Sequence, residues 1–409
     1  MSEFSMELNE DQLQVLRWVH DFAENAERPA GREWDAREET PWPIIEEAAR
    51  IGLYSFDFVA NCFADPTGLL LSLVNEEMAW GDAGIALAIL GSTLGVAGIV
   101  AAGTPEQVAE WAPRCFGQAG DVRLAALCVS DADAGLNAAS VGTRAVYDRT
   151  RDAWTLNGTK ARITNGGIAD VHVVVASVDP DVGAHGQASF VVPPKTPGLS
   201  MGHKLTKTGI RACHTAEVIL RDVTLPGACL LGGKDRLDER ISRARDGRQA
   251  RSSAAMVTFE AILPTVAAQA VGIARAAYEH VLEDAKGHTA RGKPILERNT
   301  VAFKLVDMRT RTDAARLLYL KAASMAMTGK PFTAGEGAMA KIFADETAVF
   351  VTEQSVQTLD ACRCSPDCPL ERWHRDSLAH VSFEGSSEVH RLRIARAMFG
   401  SPTRQRSES

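Results

Sequence analysis

Apolar positions along the chain change period twice. Up to about residue 120 they recur at helical spacing. Val15, Val19 and Phe22 share one face of a helix that Asn9 is placed to cap. Pro43 stands where a second helix opens and Gly52 where it closes. Thr104-Pro-Glu-Gln107 reads as a capping box with proline in the first turn. The stretch from Ala83 to Ala102 is uncharged, but Ser92, Thr93 and several glycines interrupt it. It falls short of the ~18 continuous apolar residues of a membrane span and suits tight helix packing in a core.

From about 121 to 232 the pattern shortens. Trp154–Gly158 reads as a strand running into a turn. Val171–Ala176, Ala188–Val192 and Thr215–Leu220 are β-branched runs between Gly, Pro and Asp. No long helical crossover separates them, so an antiparallel sandwich or barrel is expected. From about 256 to 398 helical spacing returns. Val266, Ala270, Ile273, Ala277 and Val281 form one stripe. Val301, Leu305, Met308 and Ala315 form a second, and Met339, Ile342, Phe343 and Phe350 a third. Long amphipathic helices of this kind imply a bundle. The expected fold class is α+β, mostly α. An N-terminal helical domain covers 1–120 and a central antiparallel β domain 121–235. A C-terminal four-helix bundle covers 236–400, with 236–252 a charged insertion and 401–409 a disordered tail.

Composition changes this picture little. The 409 residues are 45% apolar and 23% charged, enough for a large core. A net charge of −8 argues against a binder of phosphate backbones. Arginines crowd Arg236–Arg251, but Asp238, Glu239 and Asp246 interleave them, as on a solvated helix or mobile insertion. The start, Met1–Ser5, lacks a basic segment followed by an apolar one, and the eight cysteines are mostly scattered. A cytoplasmic, reduced protein is expected. Cys362, Cys364 and Cys368, with His374 beyond, lack a clear fourth ligand and are read as a thiol cluster rather than a metal site.

Seven segments carry more specific information. They are Cys128–Gly135, Leu156–Gly166, Gly209–Glu217, Val223–Pro226, Ala267–Ala274, Glu371–Asp376 and His380–Arg396. In this order and at these gaps they resemble the acyl-CoA dehydrogenase family over roughly residues 8–398. That resemblance implies helical domain, β domain and bundle, FAD as cofactor, an acyl-CoA substrate and a tetramer in which a neighbouring subunit completes each flavin site. It also implies the reaction. A base removes the proton on the carbon next to the thioester while hydride leaves the β-carbon for flavin N5. Glu384 matches that base, and its backbone N–H one donor to the thioester oxygen. Phe383 and Gly385 flank it and would help raise its pKa. Some relatives carry the base just before Ala267; there Ile262 cannot act, and Glu260 matches an acidic residue facing CoA. Phe259, Leu263 and Leu136 also fall at substrate positions.

By the same resemblance, Thr164 and Ser130 offer hydroxyls near flavin N5, and Cys128, Val129 and Ile163 line the ring. Ser386 and Glu388 fall at nucleotide-contacting positions. Other positions depart from the family. Arg162 replaces a tryptophan beside the flavin. Leu136 and Asn137 replace Ser and Asp, and Leu263 an arginine. His288 replaces an arginine that meets the pyrophosphate, and Arg291 a phenylalanine. Asn299 stands where glutamine is common. After Gln357, the family's paired glycines become Asp360 and Ala361, which bring side chains and a negative charge toward the phosphates. Weakened FAD binding is expected. Two readings remain open: a dehydrogenase oxidised by an electron-transfer flavoprotein, or a cofactor-poor homologue. The latter would act as an acyl-CoA-binding scaffold or as partner in a hetero-oligomer.

Overall fold

The computed structural model describes residues 7–131, 141–247, 254–290, 293–328, 330, 332–359, 365 and 367–399. Residues 254–261, 290, 293 and 327 are described by backbone alone. Eight helices come first: α1 (Glu10–Phe22), α2 (Arg28–Arg37), α3 (Trp42–Arg50), α4 (Phe56–Ala64), α5 (Leu70–Gly81), α6 (Ala83–Leu90), α7 (Ser92–Ala102) and α8 (Pro105–Trp111). Asn9 and Thr104 cap α1 and α8 with reciprocal boxes to Gln12 and Gln107, satisfying backbone groups that the first turn leaves open. Pro41 is the N-cap of α3, and Gly52, at φ 88°, follows its end. The uncharged Ala83–Ala102 stretch is apolar enough for a span, yet it divides at Gly91 into α6 and α7, and 67% of its most apolar window is buried inside the fold.

The central strands are β1 (Gly117–Gln118), β2 (Asp121–Val122), β3 (Ala125–Cys128), β4 (Arg144–Asp148) and β5 (Ala153–Thr164). They continue with β6 (Val171–Ser177), β7 (Gln187–Val192), β8 (Leu199–Lys204) and β9 (Thr215–Pro226). β1 and β2 form a hairpin. The others make one sheet in the order β3-β6-β4-β5-β9-β8, with β7 on β6. The pairing is antiparallel except that β3 runs parallel to β6, and a single β4–β6 bridge is parallel too. Local alternation shows that a strand forms but not its partner, so this pair is invisible in sequence. β5 does not stop at Gly158. It continues to Thr164 with two register shifts, the second between Lys160 and Ile163. Such bulges bend a strand and re-aim its side chains.

Helix α9 (Lys234–Arg245) opens the charged stretch. It packs on the sheet through buried Leu237, and Arg240 donates to the carbonyls of His185 and Gln187. Then follow α10 (Ala254–Gly287), α11 (Asn299–Met327), α12 (Glu336–Thr358), α13 (Leu370–His380) and α14 (Ser387–Phe399). Their Ala-rich faces build a core that also takes in Leu73 and Trp80 of α5. Gly272 lets α10 lie against the backbone of α5, because a Cβ there would collide with the Glu76 carbonyl. Residues 248–253 and 400–409 lie outside the described residues.

Candidate active site

Two edges of the sheet meet at the exit of β3. The Ala161 N–H donates to the Ser130 carbonyl at 2.9 Å, and Lys160 Nζ donates to the Val129 carbonyl at 2.8 Å. Lys160 is fully buried and pairs with Asp131 at 2.8 Å; Asp131 also accepts from the Thr143 hydroxyl and the Gly142 N–H. Burial alone would raise the Asp131 carboxyl, but attraction to Lys160 and hydrogen bonds from Lys160 and Thr143 outweigh it and hold the carboxyl below its ordinary value. Cys128, Val129 and Ser130 are thereby fastened beside Arg162, Ile163 and Thr164. Ile163 and Thr164 are buried, Val129 is half-buried, and Ser130 and Arg162 are exposed. Burial pushes the Cys128 thiol up to about 12, so it is an inert wall rather than a nucleophile. Arg162 takes a left-handed φ of 58° at the second β5 shift, which turns its guanidinium out to solvent.

Glu384 lies on the turn between α13 and α14. Its φ is 52° and that of Gly385 is 106°. The left-handed conformation costs an ordinary residue on the order of 1–2 kcal/mol and has to be imposed by its surroundings. His390 of α14 lies 3.0 Å from the Glu384 carbonyl through Nε2. Burial, with Lys341 and Arg393 nearby, pushes His390 down to about 4, so at neutral pH its Nε2–H is a neutral donor. Phe383 packs with Leu87, Ile210 and Cys213, closing one side of the turn. Burial raises the Glu384 carboxyl to about 7, and attraction to Lys341 limits the rise.

Lys341 of α12 underlies this turn. Its ammonium donates to the carbonyls of Val381 and Gly385, each at 2.8 Å, and pairs with Asp345 at 2.7 Å. Asp345 meets His380 Nδ1 at 2.8 Å, and Gln269, near His380 Nε2, donates to Asn75 at 2.8 Å. Neither Lys341 nor the Lys160–Asp131 pair was singled out from sequence. The available signal was a lysine and an aspartate four residues apart, Lys341 and Asp345, within the Ala-rich stretch Ala338–Ala348.

The remaining candidates scatter. Ser386 Oγ is buried beside the Glu388 carboxylate, which its hydroxyl helps hold below the ordinary value. Glu388 is exposed in the first turn of α14. Leu263 is buried, and an added Cβ on Gly337 would sit 3.4 Å from its own Cβ. His288, Asn299 and Gln357 are exposed, and Gln357 accepts from Lys304. Lys341 and Gln357 are 16 positions apart on α12, about 24 Å along its axis, so Gln357 stands far from the Glu384 turn. Leu136, Asn137, Arg291, Asp360 and Ala361 lie outside the described residues, as do the side chains of Phe259 and Glu260. Cys368 is disulfide-bonded, which departs from the reduced state expected for the cluster; Cys362 and Cys364 lie outside the described residues. Five further cysteines, Cys62, Cys115, Cys128, Cys213 and Cys229, are free and buried.

Three family models match in chain order: acyl-CoA dehydrogenase N-terminal domain over residues 9–118, middle domain over 126–223 and C-terminal domain over 253–399. The chain belongs to the acyl-CoA dehydrogenase family. It is 33% identical to the mitochondrial short-chain specific acyl-CoA dehydrogenase of Bos taurus, over 96% of this chain and 90% of that one. Among solved structures it is similar to butyryl-CoA dehydrogenase from Megasphaera elsdenii. The TM-score is 0.85 at 31% identity, over 96% of this chain and 99% of the other. A chain from a study of the electron transferring flavoprotein of Acidaminococcus fermentans superposes with a TM-score of 0.84 at 28% identity, over 97% of this chain and all of that one. Family and fold are those of flavoprotein oxidoreductases acting on acyl-CoA thioesters, and the expected fold class, helices then a central sheet then helices, is met.

Proposed function

We propose that the chain removes two hydrogens across the α,β-bond of an acyl-CoA thioester, with Glu384 as the base. One observation carries this reading: a half-buried carboxylate raised to about 7, on a strained turn in the segment that matches the family's base. A base with that pKa is about half ionised at neutral pH, where proton transfer is most effective. The backbone N–H of Glu384 would polarise the thioester oxygen and so acidify the α-carbon. Phe383, packed on Leu87, Ile210 and Cys213, keeps water from the carboxylate. The α-proton passes to a Glu384 Oε.

The residues present fit FAD at the ring end. Thr164 and Ser130 offer hydroxyls, Val129 and Ile163 an apolar wall, and Ser386 a buried hydroxyl beside Glu388. When bound, the flavin supplies the acceptor for the β-hydrogen. Arg162, exposed where the family has an indole, gives up a stacking face, so affinity for FAD is below that of relatives. His288, Asn299 and Gln357 serve a neighbouring copy, since Gln357 stands about 24 Å along α12 from Lys341, the residue beneath the same chain's Glu384 turn. That neighbour is a second copy of this chain or a homologous subunit. The names of the two short-chain relatives make short acyl-CoA thioesters the first substrates to assay, with an electron-transfer flavoprotein as oxidant.

The test is anaerobic. FAD-reconstituted protein is mixed with butyryl-CoA and flavin bleaching is followed. Wild type bleaches; Glu384→Gln keeps its flavin but does not bleach. Equal bleaching in both would remove Glu384 from the mechanism. Failure of both to take up flavin, alone or with a homologous subunit, would favour the scaffold reading.

A further inference from the structure

The turn that carries Glu384 is not held by its own backbone. Its two ends, the carbonyls of Val381 and Gly385, converge on one ammonium group, that of Lys341, each at 2.8 Å. Lys341 has no solvent exposure, and Asp345, one helical turn on, sets a buried carboxylate 2.7 Å from the ammonium as its counter-charge. The ammonium thus has two hydrogen bonds on the turn and one ion pair beneath it. A buried lysine without such partners would be unstable, so this arrangement is a built one. Asp345 is fixed in turn by His380, the last residue of α13, which is close to Gln269 of α10; Gln269 bonds Asn75 of α5. The turn is therefore anchored through one buried polar chain to four helices of two domains.

We infer that Lys341 is a positioning residue for the base: it clamps both ends of the Val381–Gly385 turn, holds Glu384 in its left-handed conformation and places a fixed positive charge beneath the carboxylate. The inference rests on Glu384 being the base. Its chemistry is electrostatic. A cation behind the carboxylate stabilises the ionised form that must exist before proton abstraction, while the carbonyl clamp offsets the backbone strain. Among the described residues, the other charged or titratable groups on elements packed at the turn are Asp345 on α12, Asp376 and His380 on α13, Lys207 in the loop before β9, and Glu388, His390, Arg391 and Arg393 on α14. Compared with these described groups, Lys341 alone both touches the turn at two points and bears on the Glu384 carboxyl.

The experiment compares wild type with Lys341→Met and with the double variant K341M/D345N, which leaves no unpaired carboxylate in the core. Glu384 is titrated by 13C NMR of carboxyl-labelled glutamate, its signal assigned by its loss in E384Q. In parallel, the pH dependence of kcat and KM for acyl-CoA-driven flavin reduction is recorded. In both Lys341 variants the Glu384 midpoint and the acid limb of kcat should rise together by roughly one pH unit. kcat at neutral pH should fall roughly tenfold or more, while KM changes far less. A midpoint equal to that of wild type in a folded variant overturns the inference, because a purely structural lysine would leave it in place. If even wild type fails to reduce flavin, the dehydrogenase reading falls, and the NMR titration still decides whether Lys341 sets the state of Glu384.

Discussion

Glu384 is held in two unfavourable conditions at once, a left-handed backbone and a site that penalises its charge. The second has a measurable sign. The carboxyl is raised from 4.5 to about 7, so the folded state binds a proton more tightly than the unfolded chain. The associated stability is fully present below pH ~4.5 and is lost as pH rises through 7. The loss is at most about 3 kcal/mol, less where residual solvent screens the charge. Glu384→Gln, which mimics the neutral acid, should match wild type in urea unfolding at pH 4.5 and exceed it by up to that amount at pH 8. A difference between the two proteins that does not grow with pH would mean the carboxyl is not destabilised. The trade of stability for reactivity is typical of catalytic positions. At this scale the base was legible, because its segment has a distinctive run of residue types. Lys341 was not, because a lysine within an apolar stripe acquires meaning only when the turn 40 residues later folds onto it.

Elements position the site through a few close approaches. The chain leaving β3 is tied to the middle of β5 by the buried Lys160–Asp131 pair, and breaking such a pair strands a charge. Asp131→Ala should cost about 3–5 kcal/mol in chemical unfolding, and in variants that still fold it should weaken FAD binding, read by flavin fluorescence recovery on titration. Retained flavin affinity in a folded variant would show that the β3 exit is held by something else. The loop before β9 docks on α13 with no room to spare. An added Cβ at Gly209 would meet the Arg375 carbonyl and the Asp376 N–H, and the Ile210 N–H donates to Asp376 Oδ1 at 2.5 Å. Gly209→Ala should therefore destabilise by roughly 1–3 kcal/mol and, by shifting Ile210 from Phe383, lower kcat. An unchanged melting temperature would refute that contact. The strands themselves were readable from β-branched runs, and a capping asparagine and one capping box marked two helix starts. The continuation of β5 through Gly158 was not, since a glycine reads as a stop until the strand opposite, β9, shows that pairing resumes beyond it.

On the scale of the whole molecule, the chain leaves apolar side chains in solvent where the proposed function needs a neighbour. Phe303 and Val306 lie three residues apart on one face of α11, 66% and 61% exposed. They follow Asn299 and bracket Lys304, which bonds Gln357, so this face groups with residues proposed above to serve a neighbouring copy. Burying two such side chains contributes about 1.5–3 kcal/mol each, and an isolated chain has no reason to expose them together. If the face seats a second copy, the charged replacement Phe303→Glu with Val306→Glu will place unpaired carboxylates in that contact. Sedimentation should then shift from an oligomer to the 44 kDa chain, and bound flavin should be lost in step, although neither residue lies on the Glu384 turn. Two results separate the possibilities. A variant that becomes monomeric yet keeps FAD would show that one chain suffices for the cofactor. A variant that stays oligomeric with flavin bound would move the interface elsewhere, and with it the assignment of His288, Asn299 and Gln357 to a neighbour's site.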